Sequence, residues 1–321
     1  MVAPQNVCSR LTQLIKLHII EGGSHISIVG LENPIQGTIE ALRAVRPNLH
    51  SDFILLSCDL ISEFPLYPMI DQHRTSNSLV TVMLCGSDKP AGKGEESSRH
   101  EDLEENQVYA GMDESRKNLL YLVGKADIED SINFRMSLLS RYPCILLRTN
   151  LTDAHCYIFR KDFLEMFDSG LLLGNRNLFS VREELIPRMV KHQVIGPKSC
   201  SKQPEAQHRA SSACAVRLVD GEFCVRVNNL KHYVEANRYI CKNSSQPRVS
   251  PSAEVNQKSQ IGNDSLVGDF SKTGEKTSVK KSIIGHNVCI GKNVKISNSI
   301  IMDKVIIEDK YCHLCFRRHH I

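Results

Sequence analysis

The stretch that decides the fold lies near the C-terminal end, at Val255–Ile307, VNQKSQIGNDSLVGDFSKTGEKTSVKKSIIGHNVCIGKNVKISNSIIMDKVII. Aliphatic residues recur in it every six positions. In order they are Val255, Ile261, Val267, Thr273 as a weak member, Val279 and, after a slip of one residue, Ile284, Ile290, Ile296 and Met302. A period of six fits neither the 3.6-residue turn of an α-helix nor the alternation of a simple strand. It predicts a short left-handed parallel β-helix built from hexapeptide repeats.

The remaining positions of the hexads support this prediction. Small or β-branched residues stand four positions after several leading aliphatics, and glycine often follows the leader directly, as at Gly262, Gly268, Gly285 and Gly291. In a solenoid the aliphatic points into the coil, the small residue packs beside it and the glycine eases the corner. A run of short β-hairpins is the alternative, but the phase persists over many hexads. Such a period indicates a fold and not an activity.

Residues 1–195 alternate between helical and strand patterns, which predicts an α/β domain with a parallel sheet covered by helices on both faces. Its most apolar run, Phe53–Ser57, predicts a fully buried strand. We expect residues 196–252 to be a linker with connecting strands and a helix, residues 253–309 to be the β-helix, and residues 310–321 to be a tail outside both patterns. The polar segment Lys89–Glu105 is predicted to be a disordered insertion and Gly196–Ala213 a linking stretch. Both are expected to be mobile, because they offer little apolar surface to bury.

The composition excludes several classes of protein. The 321 residues carry a net charge of +4, and the basic residues are scattered, so no stripe for nucleic acid is present. No apolar run approaches the length that a membrane span requires. The twelve cysteines show no paired spacing, which is typical of reduced thiols in the cytosol.

Two places in the α/β half could carry nucleotide chemistry. The strand that begins at Phe53 runs into Asp59, and a carboxylate beyond the carboxyl end of a strand is well placed to hold Mg²⁺ against phosphates. Gly37 and Thr38 open a helix, where the backbone could approach a flat base closely. Each has a structural alternative, since Asp59 could cap a turn or helix and Gly37-Thr38 could simply start a helix. Gly37, Thr38 and Asp59 are therefore candidates for a nucleotide pocket with at most weak binding, and both structural alternatives stay open.

The other candidate residues point to no metal centre and no catalytic base. Cys312, Cys315, His319 and His320 are crowded more tightly than a usual zinc site requires, so we predict that no metal is bound. His286 lies in a loop between hexads, where acyltransferases of the hexapeptide class place a catalytic base. A lone loop histidine is more often a surface residue.

The order of motifs resembles a known family. A nucleotide-binding α/β domain followed by a hexapeptide β-helix resembles the sugar-nucleotide pyrophosphorylases, and the details resemble more closely the gamma-subunit family of translation initiation factor 2B. The stretches that carry the resemblance are Gly37–Arg43, Phe53–Ile61, Thr152–Phe159, Ser180–Pro187 and Tyr233–Arg238. The resemblance runs from about residue 8 to about residue 308.

The resemblance implies a nucleotidyltransferase-like (Rossmann-like) mixed sheet, followed by the β-helix. The glycine-rich phosphate loop of the pyrophosphorylases does not occur in this sequence, so we expect a domain without its first βαβ unit, and a β-helix that stops early. The implied function is that of a non-catalytic subunit of the guanine-nucleotide exchange factor for initiation factor 2. Its partners would be the epsilon subunit, the other subunits of that complex and the GTPase itself. The alternatives are a fragment of a GDP-mannose-type pyrophosphorylase and a β-helix that serves as an interaction module.

Overall fold

The structure is a computed structural model that describes residues 1–18, 26–31, 37–86, 107–128, 131–168, 178–195, 213–243, 247–262, 264–310 and 312–314. The chain divides into two compact units, Met1–Cys224 and Val225–Ile321. Lys89–Glu105 lies outside the described residues, as does Gly196–Ala213 except for its last residue. Cys315, His319 and His320 lie outside them too. The predictions made for these segments therefore stay predictions.

Helices and strands alternate along the first unit, as the sequence predicts. The helices are α1 (Gln5–His18), α2 (Thr38–Val45), α3 (Tyr67–Ser76), α4 (Met136–Arg141), α5 (Asp162–Asp168) and α6 (Ile186–Ile195), the last of which continues a π-helical turn at Val181–Leu185. Short 3₁₀ turns occupy Arg46–Asn48 and Lys125–Asp127. The strands are β1 (Val2–Pro4), β2 (Val29–Leu31), β3 (Phe53–Leu56), β4 (Leu60–Ser62), β5 (Val80–Gly86), β6 (Gln107–Met112), β7 (Leu119–Gly124), β8 (Leu146–Phe159), β9 (Cys214–Val219) and β10 (Cys224–Arg226), which crosses the boundary between the units. The fold class is mixed α/β.

The central sheet has the strand order β7-β6-β8-β5-β9. β5 pairs with one edge of β8, and β6 and β3 pair with the other edge, one after the other along β8. β5 and β9 run parallel, whereas β3–β8, β5–β8, β6–β7 and β6–β8 are antiparallel. The long strand β8 organises the sheet, because its first half pairs with β6 and its last four residues pair with β3. The sheet is therefore mixed in direction and not parallel throughout. β9 belongs to it although it comes from the segment 196–252.

Apolar side chains cover both faces of this sheet. Alternate residues of β5 point to opposite faces, so that Val82 and Leu84 join the larger core while Met83 and Cys85 join a smaller cluster. The larger core is closed by residues of α2, α5 and α6, with the rings of Phe159 and Phe163 4.5 Å apart. Helix α3 contributes to the smaller cluster. This two-sided burial follows from the period of two along a strand.

The prediction of a fully buried strand at Phe53–Ser57 is wrong. β3 pairs antiparallel with β8, and its residues alternate between the two environments of a half-buried strand. Phe53 and Leu55 pack against the larger core, but Ile54 is 37% exposed and Leu56 is 49% exposed. An unbroken aliphatic run looks the same in sequence whether one face or both faces are covered.

The second unit opens with helix α7 (Leu230–Asn243) and continues with very short strands. These are β11 (Glu254–Val255), β12 (Gln260–Ile261), β13 (Leu266–Val267), β14 (Lys272–Thr273), β15 (Ser278–Lys280), β16 (Ile283–Ile284), β17 (Cys289–Ile290), β18 (Lys295–Ser297), β19 (Ile300–Ile301), β20 (Ile306–Ile307) and β21 (Cys312–Leu314). They form three parallel sheets, β11-β14-β17-β20, β12-β15-β18-β21 and β13-β16-β19. Each strand pairs with the third strand along the chain, so the chain visits every sheet once per coil. We call this arrangement of β11–β21 the three-sheet stack.

The hexad leaders point into the stack. The buried ones include Val267, Thr273, Val279, Ile284, Ile290 and Ile296. The small residues two positions before a leader are buried as well, and their hydroxyls bind backbone groups of the next coil. Ser271, for example, donates to the Gly285 carbonyl at 2.8 Å and accepts from the Val288 N–H at 3.1 Å.

Met302 is a correction to the hexad pattern. It is 63% exposed, and the inward position belongs to Ile301 instead. The count therefore slips a second time, between Ile296 and Ile301. The reason is the length of the coil, since Ile284 pairs with Val267 and Ile301 with Ile284, each seventeen positions apart. The pairs Val255–Thr273 and Ile261–Val279 are eighteen positions apart, which is three full hexads. From Val267 to Ile307 the paired leaders are seventeen positions apart, so each of these coils is one residue short of three hexads.

The corners of the stack use left-handed backbone at regular intervals. The non-glycine residues with positive φ there are Phe270, Lys276, Lys281, Asn287, Asn293, Asn298, Lys304 and Lys310. From Asn287 onward, the N–H group of each of these residues donates to a carbonyl of the preceding coil. Asn287, for example, donates to the Asp269 carbonyl at 2.9 Å. Asparagine tolerates this conformation and lysine does so at some cost in energy.

Candidate functional site

Gly37, the first predicted site residue, sits directly before α2 and touches the chain near α6. A Cβ atom built on Gly37 would lie 2.1 Å from the Phe179 carbonyl oxygen and 2.7 Å from Cγ of its ring. The same carbonyl oxygen accepts the Ile39 N–H at 3.2 Å. Glycine is therefore required at position 37 because of close backbone approach, and its φ of −66° is ordinary.

Thr38 strengthens the same contact. Its Oγ1 accepts the backbone N–H of Val181 at 2.8 Å, so its hydroxyl holds the chain where the π-helical turn begins. We call these contacts of Gly37, Thr38 and Ile39 with Phe179 and Val181 the α2 clasp. The sequence predicted that a flat base could approach Gly37. In this structure the carbonyl group and the ring of Phe179 lie there.

The Phe179 side of the α2 clasp is fixed by helix capping. Ser180 Oγ accepts the Glu183 N–H at 3.2 Å, and the Glu184 carboxylate accepts the N–H groups of Ser180, at 3.0 Å, and of Phe179. The N–H groups of Ser180 and Phe179 are the main reason why the pKa of Glu184 is lowered. The carboxylate therefore satisfies N–H groups that precede the helix.

Asp59 lies where the sequence predicts it, in the turn that follows β3. The Ser57 hydroxyl donates to Asp59 Oδ1, and the Leu60 N–H donates to the Ser57 carbonyl at 3.3 Å. Ser57 also donates its N–H to the His155 carbonyl at 3.1 Å, which ties the turn to β8. The structure thus brings Asp59 to Ser57 and the middle of β8, while it brings Gly37 and Thr38 to Phe179 and Val181.

Sequence reasoning did not single out the side chains that shape β8 beside this turn. His155 adopts a φ of 52°, in the left-handed region, where β8 changes partner from β6 to β3. Asp153, only 4% exposed, holds this bend, because it accepts the His155 N–H at 2.8 Å and the Tyr157 hydroxyl at 2.8 Å. An aspartate side chain readily accepts the backbone N–H of the residue two positions later in the chain. Asp153 before His155 in an apolar strand is therefore a signal for such a bend, although a weak one.

Comparison with known proteins adds the family. The chain is 31% identical over 243 residues to translation initiation factor eIF2B subunit gamma of Schizosaccharomyces pombe, an alignment that covers 70% of this chain and 50% of that protein. The chain belongs to the eIF2B gamma-subunit family. The corresponding subunit of Dictyostelium discoideum is 29% identical over 244 residues, covering 65% of this chain and 55% of that protein, and that of Caenorhabditis elegans is 26% identical over 225 residues, covering 68% and 50%. No protein-family model matches the sequence.

The chain spans about half the length of the curated relatives that it matches. These relatives are translation initiation factor subunits, so the pyrophosphorylase alternative is not favoured. Nucleotide binding by Gly37, Thr38 and Asp59 stays a prediction. The α2 clasp gives Gly37 and Thr38 a structural role, and the bond with Ser57 in the turn after β3 gives Asp59 one.

His286 is a surface residue of the three-sheet stack. Its Nδ1 accepts the Asp269 N–H at 3.0 Å, and its own N–H donates to Asp303 Oδ1 at 2.8 Å. Asp269 in turn accepts the hydroxyls of Ser250 and Ser252, which, with His286, lower its pKa. His286 therefore links successive corners of the stack.

The described residues contain neither a cluster of metal-binding side chains nor a helix that could span a membrane. Within the described ranges, no three side chains of His, Cys, Asp or Glu lie close enough to hold a metal ion together. Among the helices of the same part of the chain, none has the length and apolar character to cross a bilayer.

Proposed function

We propose that this chain is a regulatory, non-catalytic subunit of the eIF2B complex, the exchange factor for translation initiation factor 2. The observation that carries the proposal is the 31% identity to a gamma subunit over 70% of the chain. As the resemblance implies, the epsilon subunit performs the exchange and this chain supports it as a scaffold, in the cytosol. Further contacts are with the other subunits of the complex and with initiation factor 2. We propose no direct contact with nucleic acid and no bound cofactor.

The fold that goes with this function is nucleotidyltransferase-like in the first unit and a left-handed parallel β-helix in the second. The mixed central sheet with helices on both faces supports the first part of the proposal. The three parallel sheets, joined in steps of three strands with coils of seventeen or eighteen residues, support the second part. A left-handed hexapeptide β-helix has three flat sides, each built from one short strand per coil.

The support that such a subunit gives to exchange is a matter of linkage. A complex that binds the nucleotide-free GTPase more tightly than the GDP-bound form lowers the affinity of the GTPase for GDP by the same coupling free energy. A non-catalytic subunit contributes by holding the catalytic subunit in the conformation that has this preference. We therefore expect the chain to raise the exchange activity of the epsilon subunit and to have none by itself.

The test is reconstitution. The chain is co-expressed with the epsilon subunit and run on size-exclusion chromatography, and GDP release from initiation factor 2 is then measured with each subunit alone and with both. We expect the two to co-elute and the pair to release GDP faster than the epsilon subunit alone. Separate elution together with an unchanged rate of GDP release would show that the proposal is wrong.

A second test addresses catalysis by the chain itself. We expect no pyrophosphate release with Mg²⁺, any nucleoside triphosphate and common sugar phosphates, because the α2 clasp places Phe179 against Gly37. Asp59→Asn is the informative variant, and Asp71→Asn, at an exposed position of α3, is its control. Turnover that Asp59→Asn abolishes and Asp71→Asn retains would identify an enzyme instead.

A further inference from the structure

One side of the three-sheet stack is lined by lysines. In β15 and β18 the hexad leaders Val279 and Ile296 point inward, so the residues on either side of them along the strand point outward. Five lysines lie on this outer side or at the corners that border it, and all five are exposed. We call them the lysine face: Lys276, Lys280, Lys281, Lys292 and Lys295.

The lysine face differs from the next side of the stack, where charges are paired. On the sheet β11-β14-β17-β20, Lys272 Nζ lies 3.0 Å from the Glu254 carboxylate. At the corner beside Lys276, the Glu275 carboxylate is 4.0 Å from Lys258 Nζ. Of the described residues, no carboxylate forms an ion pair with a lysine of the lysine face. Its positive charges are therefore not neutralised by the part of the second unit that the structure describes.

The charges of the lysine face are close enough to act together. Lys295 pairs with Ser278 and Ser297 pairs with Lys280, so the two lysines stand on neighbouring strands, two positions apart along the strand direction. Strand spacing and rise per residue put their Cα atoms about 8 Å apart. That separation is close to the Debye length of about 8 Å at physiological ionic strength, so salt screens their fields from each other only in part. A second molecule meets one combined positive potential here.

Two of these lysines occupy backbone positions that do not favour lysine. Lys276 has a φ of 55° and Lys281 a φ of 47°, and they stand at the two corners that flank β15. One coil later, seventeen positions on, the same corners hold Asn293 and Asn298, which tolerate the left-handed conformation better. Strained residues of this kind often mark a site of function. At these corners the lysine side chain therefore has a use that its backbone does not explain.

We propose that the lysine face is a docking surface for an acidic segment of a partner protein, a short stretch rich in Asp and Glu that lies along β15 and β18. The unpaired ammonium groups supply the complementary charge. In β12, β15 and β18 the outward residues between the lysines are Gln260, Ser278 and Ser297. These offer no ring on which a base could stack and no apolar side chain that could enter a bilayer, so a carboxylate-rich peptide fits better than a nucleic acid or a membrane. The surface is a further role of the stack and does not depend on the proposed support of exchange.

The test measures binding of the full chain to a fluorescent hexaglutamate peptide, with hexaglutamine as the neutral probe. Lys280→Gln combined with Lys295→Gln should weaken hexaglutamate binding by about tenfold, because two exposed ion pairs are lost. Lys272→Gln combined with Lys304→Gln is the matched control, since it removes the same charge from other sides of the stack and should change binding by less than about twofold. Lys280→Arg combined with Lys295→Arg keeps the charge and should retain binding. Carbodiimide cross-linking of hexaglutamate to the unsubstituted chain should join the peptide to the lysine face.

Several results would overturn the proposal. Equal weakening by the two glutamine pairs would show that only net charge matters, and cross-links confined to Lys272 or Lys304 would place the peptide elsewhere. Absence of hexaglutamate binding, or tighter binding to oligothymidylate or to phosphatidylserine vesicles that the Lys280 and Lys295 changes abolish, would also reject it. Circular dichroism shows whether each variant is folded. If the glutamine pair at Lys280 and Lys295 unfolds, the cross-linking pattern of the unsubstituted chain decides the question.

Discussion

The Phe179 carbonyl oxygen lies so close to the Gly37 Cα that a Cβ on residue 37 would stand 2.1 Å from it. The sequence offers Gly37-Thr38 as a helix start or as a nucleotide contact, and this single distance shows why glycine is needed there. The α2 clasp joins two parts of the chain that are far apart in sequence.

The first prediction concerns this contact. Gly37→Ala should destabilise the first unit by about 1–3 kcal/mol, because backbone has to move to make room for one methyl group. Gly124→Ala is the control, since its Cβ would meet only the flexible carboxylate of Asp127, at 3.0 Å. Urea denaturation of both variants measures the difference. Equal midpoints for Gly37→Ala and Gly124→Ala would contradict the close approach.

The pH dependence of stability should report on His73. This side chain is 3% exposed; its Nδ1 is 2.7 Å from Thr81 Oγ1 and its Nε2 has no partner among the described residues. Burial lowers the pKa of His73 below its ordinary 6.5, and nearby Arg160 and Arg74 act in the same direction while Asp52 opposes them. The unfolded chain therefore binds a proton at a higher pH than the folded chain does. The stability that depends on a neutral His73 is fully present above pH 6.5, the pKa of the unfolded chain. It is lost as the pH falls from there toward the lower pKa of His73 in the folded chain.

The measurement for His73 is the free energy of unfolding across this pH range. His73→Asn keeps an acceptor near Thr81 and removes the titration, so its curve should be flatter on the acid side. His50→Asn replaces an exposed histidine and should keep the slope of the unsubstituted chain. A slope that His73→Asn leaves intact would assign the acid sensitivity to other groups.

A third prediction concerns the interior of the three-sheet stack. Ile290→Asp should destabilise the second unit by about 3 kcal/mol or more, because it places an unpaired carboxylate where Ile290 is 5% exposed. Asn293→Asp introduces the same group in the same coil, at an exposed corner with a φ of 58°, and should be nearly neutral. Thermal unfolding followed by circular dichroism compares them. Matching midpoints would mean that the hexad leaders do not form the interior.

The corners of the stack offer a stabilising substitution. Lys281 has a φ of 47°, in the left-handed region that asparagine tolerates better than lysine. Lys281→Asn should raise the stability of the second unit by up to about 1 kcal/mol. Lys280→Asn, one residue earlier in β15, lacks this benefit and serves as the control. A loss of stability for Lys281→Asn, measured in the same denaturation assay, would show that the Lys281 side chain matters more than its backbone conformation.

The sequence by itself determined the features that depend on local spacing. The recurrence of Ile284, Ile290 and Ile296 identified which side chains point inward, because a repeated short strand and corner impose one inward position per hexad. The turn at Asp59 and the helix that starts after Gly37 were likewise predictable, since acids beyond strands and glycines before helices have local causes.

The tertiary structure decided the features that depend on pairing between distant segments. Ile301 and not Met302 points inward, because the seventeen-residue coil is fixed by pairing with the previous coil. β3 is half-exposed because only the face that carries Phe53 and Leu55 packs against the larger core, and an apolar run does not record which of its faces is covered. The contact of Gly37 with Phe179 has the same origin. Residues far apart in sequence come together through the packing of the whole sheet, and no local period encodes that packing.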